Sequence, residues 1–261
     1  MFKKIALATA LVATASFATW DKFPVLENHK GQAKVTEDYG MQDKASWDEM
    51  SIGARFTVIP NLELGLVLGY HLFSNWDGDD LEIDGLTNLP IMVRYQFMPT
   101  MNAFLDVTLP IGNEDVVGDD GEIPFHFGVQ YSQKMGIVDL GTELGLQIET
   151  AGDDKTTPPW TLNVGAEGDF AVSQMFTPYV GIDLYMLLGK FTFDGDSEGD
   201  SYTGDLLFNP YLGLGIQFNQ MLSFDINASF LFGNSDAMKI KIKSGSDEVQ
   251  TIIEASLILS F

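Results

Sequence analysis

Carboxylates dominate the groups in this chain that can do chemistry: 37 Asp and Glu stand against 14 Lys and Arg and 3 His in 261 residues, and Cys is absent. A formal charge of −23 excludes a nucleic-acid binder, because phosphate requires a basic face. Without cysteine there is no disulfide, no thiolate metal site and no lipid-modified N-terminal Cys. His29, His71 and His126 are isolated from one another, so no histidine metal cluster is legible. No glycine loop sits at a strand-to-helix junction where it would cradle a phosphate. His71 and Ser74 come nearest to a base with its nucleophile. Three apart on a strand, they are expected to point to opposite faces, which leaves His71 as a plain lumen or rim residue.

The acidic side chains fall into two sets. Asp194, Asp196, Glu198, Asp200 and Asp205 resemble an EF-hand calcium loop in spacing, with Gly199 at the sixth position. Asp205 stands where that motif has glutamate, and no flanking helices are expected. A calcium or magnesium site here, or at Asp77 to Asp80, is the sharper reading because hard cations take clustered carboxylates. A solvated acidic loop is the plainer one, and no other cofactor is expected. The second set recurs at every other residue of apolar stretches: Glu49, Glu63, Asp106, Asp139, Glu143, Glu149, Glu167, Asp169, Asp183, Asp225 and Glu254, with Arg55, Arg94 and Lys34 as the cations. His126, Tyr185 and Tyr211 share that face.

Such a phase is that of strands with two chemically different faces. Met50, Ile52, Ala54, Phe56 and Val58 oppose Ser51, Gly53, Arg55 and Thr57. Val180, Ile182, Leu184, Met186 and Leu188 oppose Tyr179, Gly181, Asp183 and Tyr185. Runs of this kind predict eleven clear strands, and residues 32–41 supply the best candidate for a first one, giving about twelve. Met238 to Lys243 also alternates and leaves the count open by one.

The connections alternate in length. Short turns are read at Pro60-Asn61, 98–100, 133–137, 172–176 and 219–221, and long acidic loops at 75–85, 110–122, 149–159, 190–205 and 233–248. Short turns at one end and long loops at the other predict an all-β, antiparallel, up-and-down transmembrane barrel with both chain ends on the short-turn, periplasmic side. Phe56, Phe97, Tyr131, Phe170, Phe218 and Phe261 gather at the short-turn ends, and Tyr70, Phe125, Trp160, Phe208 and Phe230 at the other. Two aromatic girdles of this kind bracket an apolar band. A soluble sandwich is the competing fold, but it would not need the asymmetry in loop length.

Residues 1–18 read as a secretory signal peptide: Lys3 and Lys4 form the positive region, Ile5 to Val12 the apolar one, and Ser16-Phe17-Ala18 the cleavage site. A cut after Ala15 also fits, and an amphipathic first helix is the alternative. Beyond it no run of about 18 apolar residues occurs, so a membrane-embedded form has to be a barrel. The division predicted is 1–18 signal peptide, 19–31 periplasmic N-terminal segment and 32–261 barrel. Residues 19–31 either lie in the periplasm or enter the barrel as a small plug.

The last ten residues, Ile253 to Phe261 preceded by Ile252, are apolar at every second position back from a final Phe. They resemble the terminal strand of bacterial outer-membrane β-barrel proteins of the porin kind. That resemblance implies recognition of Phe261 by the barrel assembly machinery and residence in the outer membrane of a Gram-negative-type bacterium, among lipid and lipopolysaccharide. Leu109-Pro110-Ile111-Gly112 is also similar to barrel transporters grouped with the meta-pathway of phenol degradation. His71 to Asn75 is compared with the His-x-Ser-Asn of barrel lipid A deacylases and phospholipases, from which it departs by one inserted residue.

The function expected is a passive diffusion channel or small-solute transporter, monomeric or trimeric, not an enzyme. Its acidic lumen should favour cations or neutral solutes. Inward glycines, among them Gly165, Gly181 and Gly213, suggest an open lumen, although they serve strand curvature equally well. A hydrogen-bonded, nonconducting interior, a barrel that only presents its acidic loops as adhesin or anchor, and a lipid-acting barrel hydrolase are the alternatives.

Overall fold

A computed structural model describes Trp20 and residues 22–117, 121–153, 155–198, 201–234, 236–238 and 248–261. The proposed signal peptide lies outside the described residues, as do Asp200 and residues 239–247. Twelve long antiparallel strands close on themselves: β1 (Gly31–Gln42), β2 (Ala45–Ile59), β3 (Leu62–Trp76), β6 (Leu89–Met98), β7 (Met101–Leu109), β8 (Pro124–Met135), β9 (Val138–Glu149), β11 (Trp160–Phe170), β12 (Phe176–Leu188), β15 (Leu206–Gln217), β16 (Leu222–Gly233) and β17 (Gln250–Ser260). Each pairs with its neighbours in sequence, and β1 pairs with β17 from Gln32↔Ser260 to Gln42↔Gln250. Closure removes the edges that would otherwise leave a row of unpaired backbone groups.

Five short strands decorate the long loops: β4 (Asp79–Leu81) and β5 (Gly85–Leu86) pair with β3, while β10 (Thr156–Thr157), β13 (Phe191–Phe193) and β14 (Asp196–Glu198) form a small sheet. One helical turn, α1 (Glu114–Val117), lies in the loop after β7. No described helix is long and apolar enough to cross a membrane.

Burial is inverted relative to a soluble protein. The largest exposed side chains are apolar, among them Ile52, Leu66, Leu144, Val180 and Leu257, whereas the buried ones include Arg55, Glu63, Arg94, Glu167, Asp169 and Asp225. In a one-layer barrel a buried side chain points inward, so the polar face lines the lumen and the apolar face forms the outer band. The period-two reading thus assigns the two faces as the fold has them.

One strand onset and one strand phase are corrected by the structure. The first hairpin turns at Asp43 and Lys44, so β2 begins at Ala45, five residues before the predicted onset. In β3, Glu49 pairs with His71 while Asp48 pairs with Phe73, which leaves Leu72 as an extra residue. A bulge of this sort re-aims everything beyond it. Leu72 and Phe73 both face outward, and Ser74 returns to the side of His71.

Glycine makes room inside rather than leaving space. Tyr179 pairs with Gly213 and Gly181 with Tyr211, and a Cβ at either glycine would lie 2.3 or 2.1 Å from the facing tyrosine ring. The open lumen that inward glycines suggested is therefore occupied by aromatic rings at this level.

Candidate functional site

The lumen is crossed by Trp20 and residues 22–26, here called the strap. Of the two placements considered for residues 19–31, in the periplasm or inside the barrel as a small plug, the contacts of Trp20 and residues 22–26 agree with the second, and β1 starts at Gly31. Lumen side chains satisfy the strap backbone: Arg55 Nη1 donates to the Trp20 carbonyl (3.2 Å), Asn102 Nδ2 to the Phe23 carbonyl (3.2 Å) and Thr57 Oγ1 to the Leu26 carbonyl (2.9 Å). In return the Val25 and Leu26 amides donate to Gln96 Oε1 (3.1 Å) and Glu63 Oε2 (2.9 Å). Extended backbone in a lumen needs such partners, because a lone buried amide is expensive. Sequence reasoning had no period to read here, and left the strap's position open.

Lys22 anchors it. Its ammonium lies 2.9 Å from Asp183 Oδ1, donates to Asp183 Oδ2 and to the Tyr211 hydroxyl at 3.2 Å each, and sits 5.3 Å from the Tyr211 ring centre. Tyr211 in turn donates to Glu167 Oε2 at 2.6 Å. Lys22, Glu167, Asp183 and Tyr211 are all buried, so these are charge-assisted contacts in a low-dielectric setting. Trp20 stacks between Lys34 and Arg55, 5.2 and 5.3 Å from its ring.

Other side chains expected at the lumen pair along the wall in further groups. Arg55 donates through Nε and Nη2 to Gln32 Oε1 (2.9 and 2.7 Å) and stands 3.5 Å from Glu63. Arg94 grips Asp106 with both terminal nitrogens and covers the Phe104 ring. Glu143 accepts from Gln130 and Asn163 at 2.6 Å each, while His126 meets Asn163 Oδ1 at 2.8 Å and packs edge-on against Phe104. Tyr179 donates to Asp225 Oδ1 at 2.7 Å, Lys34 lies 3.6 Å from Glu254, and Asp139 pairs with Lys134 at the rim. A narrow cleft bounded by Trp20, Arg55, Glu63, Gly65, Met92 and Arg94 lies beside the strap.

The long-loop mouth holds a cluster the sequence did not reveal. Leu187, Leu207, Ala237 and Met238 are fully buried against one another, with Tyr185, Tyr202 and Leu231 around them. Adjacent apolar residues at 187–188 and 206–207 mask which of each pair points inward. Met238 heads the alternating run at 238–243, whereas 236–238 form a helical turn and the rest of that run lies outside the described residues.

The bulge in β3 brings three residues together that spacing had kept apart. His71 Nδ1 lies 3.1 Å from Glu49 Oε1, and His71 Nε2 lies 2.7 Å from Ser74 Oγ. The expectation that His71 and Ser74 face opposite ways is overturned by the one inserted residue, Leu72.

Part of the calcium-loop motif, Gly199 and Asp200, lies outside the described residues. Asp194 and Gly195 form the tip of the β13–β14 hairpin with positive φ of 51° and 91°, Asp194 faces Lys155 at 3.2 Å, and Asp196 pairs with Phe193 across the hairpin. Asp205 closes a turn with Tyr202. Among the described residues no three acidic or histidine side chains are arranged to hold a metal ion. Asp77 is paired with Lys44 at 2.7 Å.

Solved structures of similar shape were found at low sequence identity. An outer-membrane channel from Pseudomonas putida F1 superposes with a TM-score of 0.68 over 94% of this chain and 100% of its own, at 12% identity. The chain has the outer-membrane β-barrel fold. The NanC porin gives a TM-score of 0.53 at 8% identity, covering 86% of this chain and 98% of its own. The translocator domain of the autotransporter NalP from Neisseria meningitidis gives 0.51 at 12% identity, covering 99% and 95%. No protein-family model matches the sequence, and no curated protein matches it.

Proposed function

We propose that the protein is a passive outer-membrane channel for small solutes, preferring cations or neutral molecules, and that the strap gates it. The observation that carries this reading is how the strap is held. Its backbone is bonded by side chains and not by strand pairing, while the barrel closes through β1 and β17 without it. It can therefore withdraw without opening the wall. The shape shared with an outer-membrane channel and a porin supports the same reading.

Neutralising Asp139, Glu143, Glu167 and Asp183 together, as Asn or Gln, is expected to bring the cation-to-anion permeability ratio close to unity in a planar bilayer under a salt gradient. An unchanged ratio would show that ions do not pass this wall. No current from folded wild type, nor from a Lys22→Ala variant, would shift the function to an anchor that presents acidic loops.

A second reading, an ester hydrolase at the mouth, is favoured by Glu49, His71 and Ser74 alone. His71 Nε2 would take the Ser74 proton as Oγ bonds to an ester carbonyl carbon, and Glu49 would hold the ring through Nδ1. The carbonyl electron pair moves to oxygen and returns as the ester C–O bond breaks, with the departing alcohol taking the proton from His71. Water repeats the sequence to release the acid. Purified protein should then cleave p-nitrophenyl butyrate and label with a fluorophosphonate, and Ser74→Ala should lower turnover by about a hundredfold or more. Equal rates in the two proteins would dismiss the hydrolase.

A further inference from the structure

We infer that the pocket holding the Lys22 ammonium is a recognition site for solutes bearing a primary ammonium on an unbranched stem, and that Lys22 occupies it as an internal stand-in. This rests on the channel reading and names the solute class of the same lumen. Three independent features of the pocket support it.

The first is donor matching. An ammonium with N–H groups is met by two Asp183 oxygens, the Tyr211 hydroxyl and the face of the Tyr211 ring, with Glu167 holding the hydroxyl in place. Ring and carboxylate together select a compact cation that can also donate hydrogen bonds. The second is shape. A Cβ at Gly165 would lie 2.5 Å from Lys22 Cε, and one at Gly141 would lie 2.9 Å from Lys22 Cβ. The wall is cut back where the stem runs, so a branched stem would collide with it.

The third is unsatisfied acceptors. Asp169 is 1% exposed, and among the described residues no hydrogen-bond donor reaches either of its carboxylate oxygens. Asp169 lies within charge-interaction range of Glu167 and Asp225. Asp169 and Glu167 stand close enough to share a hydrogen bond as a carboxyl pair, and a buried carboxyl oxygen without an outside donor is costly. An incoming ammonium lowers that cost by docking at Asp169 while Lys22 still holds Asp183. Exchange with Lys22 then releases the strap, and binding favours the open lumen by the ligand's differential affinity for it.

The test uses the refolded full chain in detergent with n-butylammonium as probe and tetramethylammonium as the cation that lacks N–H. Titration calorimetry should show saturable n-butylammonium binding to Lys22→Ala, about tenfold or more tighter than to wild type, where Lys22 competes. Adding Glu167→Gln and Asp183→Asn should abolish it. In wild type, n-butylammonium and not tetramethylammonium should speed trypsin cleavage after the otherwise buried Lys22, a readout that needs no variant to fold. Equal effects of the two cations, or binding untouched by the carboxamide substitutions, would overturn the site. Because neither readout requires a current, amine binding in a barrel that does not conduct would overturn the channel reading alone.

Discussion

Lys22→Ala is expected to raise the open fraction of the channel about a hundredfold in single-channel recordings. The substitution strips Asp183 and Tyr211 of their cation in a site where all three side chains are buried. Removing one partner of a buried ion pair costs about 3 kcal/mol or more, which is roughly a hundredfold in an equilibrium constant. Only the strap-in state bears that cost, because Asp183 regains water once the strap has left. The check is the dwell-time distribution of wild type and variant at equal voltage, with heat-modifiable gel mobility showing that both barrels are closed. An unchanged open fraction would mean that the strap is a fixed part of the wall and that ions, if they pass, go around it.

Gly128→Ala should prevent assembly of the barrel. A Cβ on Gly128 would stand 2.1 Å from the Leu144 carbonyl oxygen and 2.7 Å from Gly145 Cα, both backbone atoms of β9. Flexible side chains can swing aside from a contact of that kind, but a paired strand cannot. The cost expected is about 3 kcal/mol or more, at the upper end for overpacking, and the folded band on a gel should be lost or melt at a much lower denaturant concentration. Gly215→Ala is the matched control: it also faces the lumen, and the nearest atom to its Cβ, the Thr177 carbonyl oxygen, is 3.6 Å away. A Gly128→Ala barrel as stable as that control would show that β8 and β9 can move apart here.

The two variants probe different layers of the structure, and their legibility in the sequence differs accordingly. Gly128 stood in a strand whose alternation was clear, with Phe127 and Val129 outward and His126 and Gln130 inward. Its packing against Leu144 follows from a pairing register that only closure of the barrel fixes. Lys22 stood in a segment with no alternation at all. Its partners are Asp183 and Tyr211, more than 160 positions away, and no local pattern signals a contact of that range.

The sequence by itself determined the all-β antiparallel barrel, a count of about twelve strands and the alternation of short and long connections. Period two and the contrast of short and long connections are local properties, and each strand carries them independently of where its neighbours sit. The tertiary structure alone decided what fills the lumen. The strap, the rings lying over Gly181 and Gly213, and the capped mouth at Leu187 and Leu207 all depend on distant residues meeting across the closed wall. It also decided the phase of β3 beyond His71. One extra residue, Leu72, inverts the two faces of a strand, and the insertion becomes visible only when Glu49 is seen to pair with His71 while Asp48 pairs with Phe73.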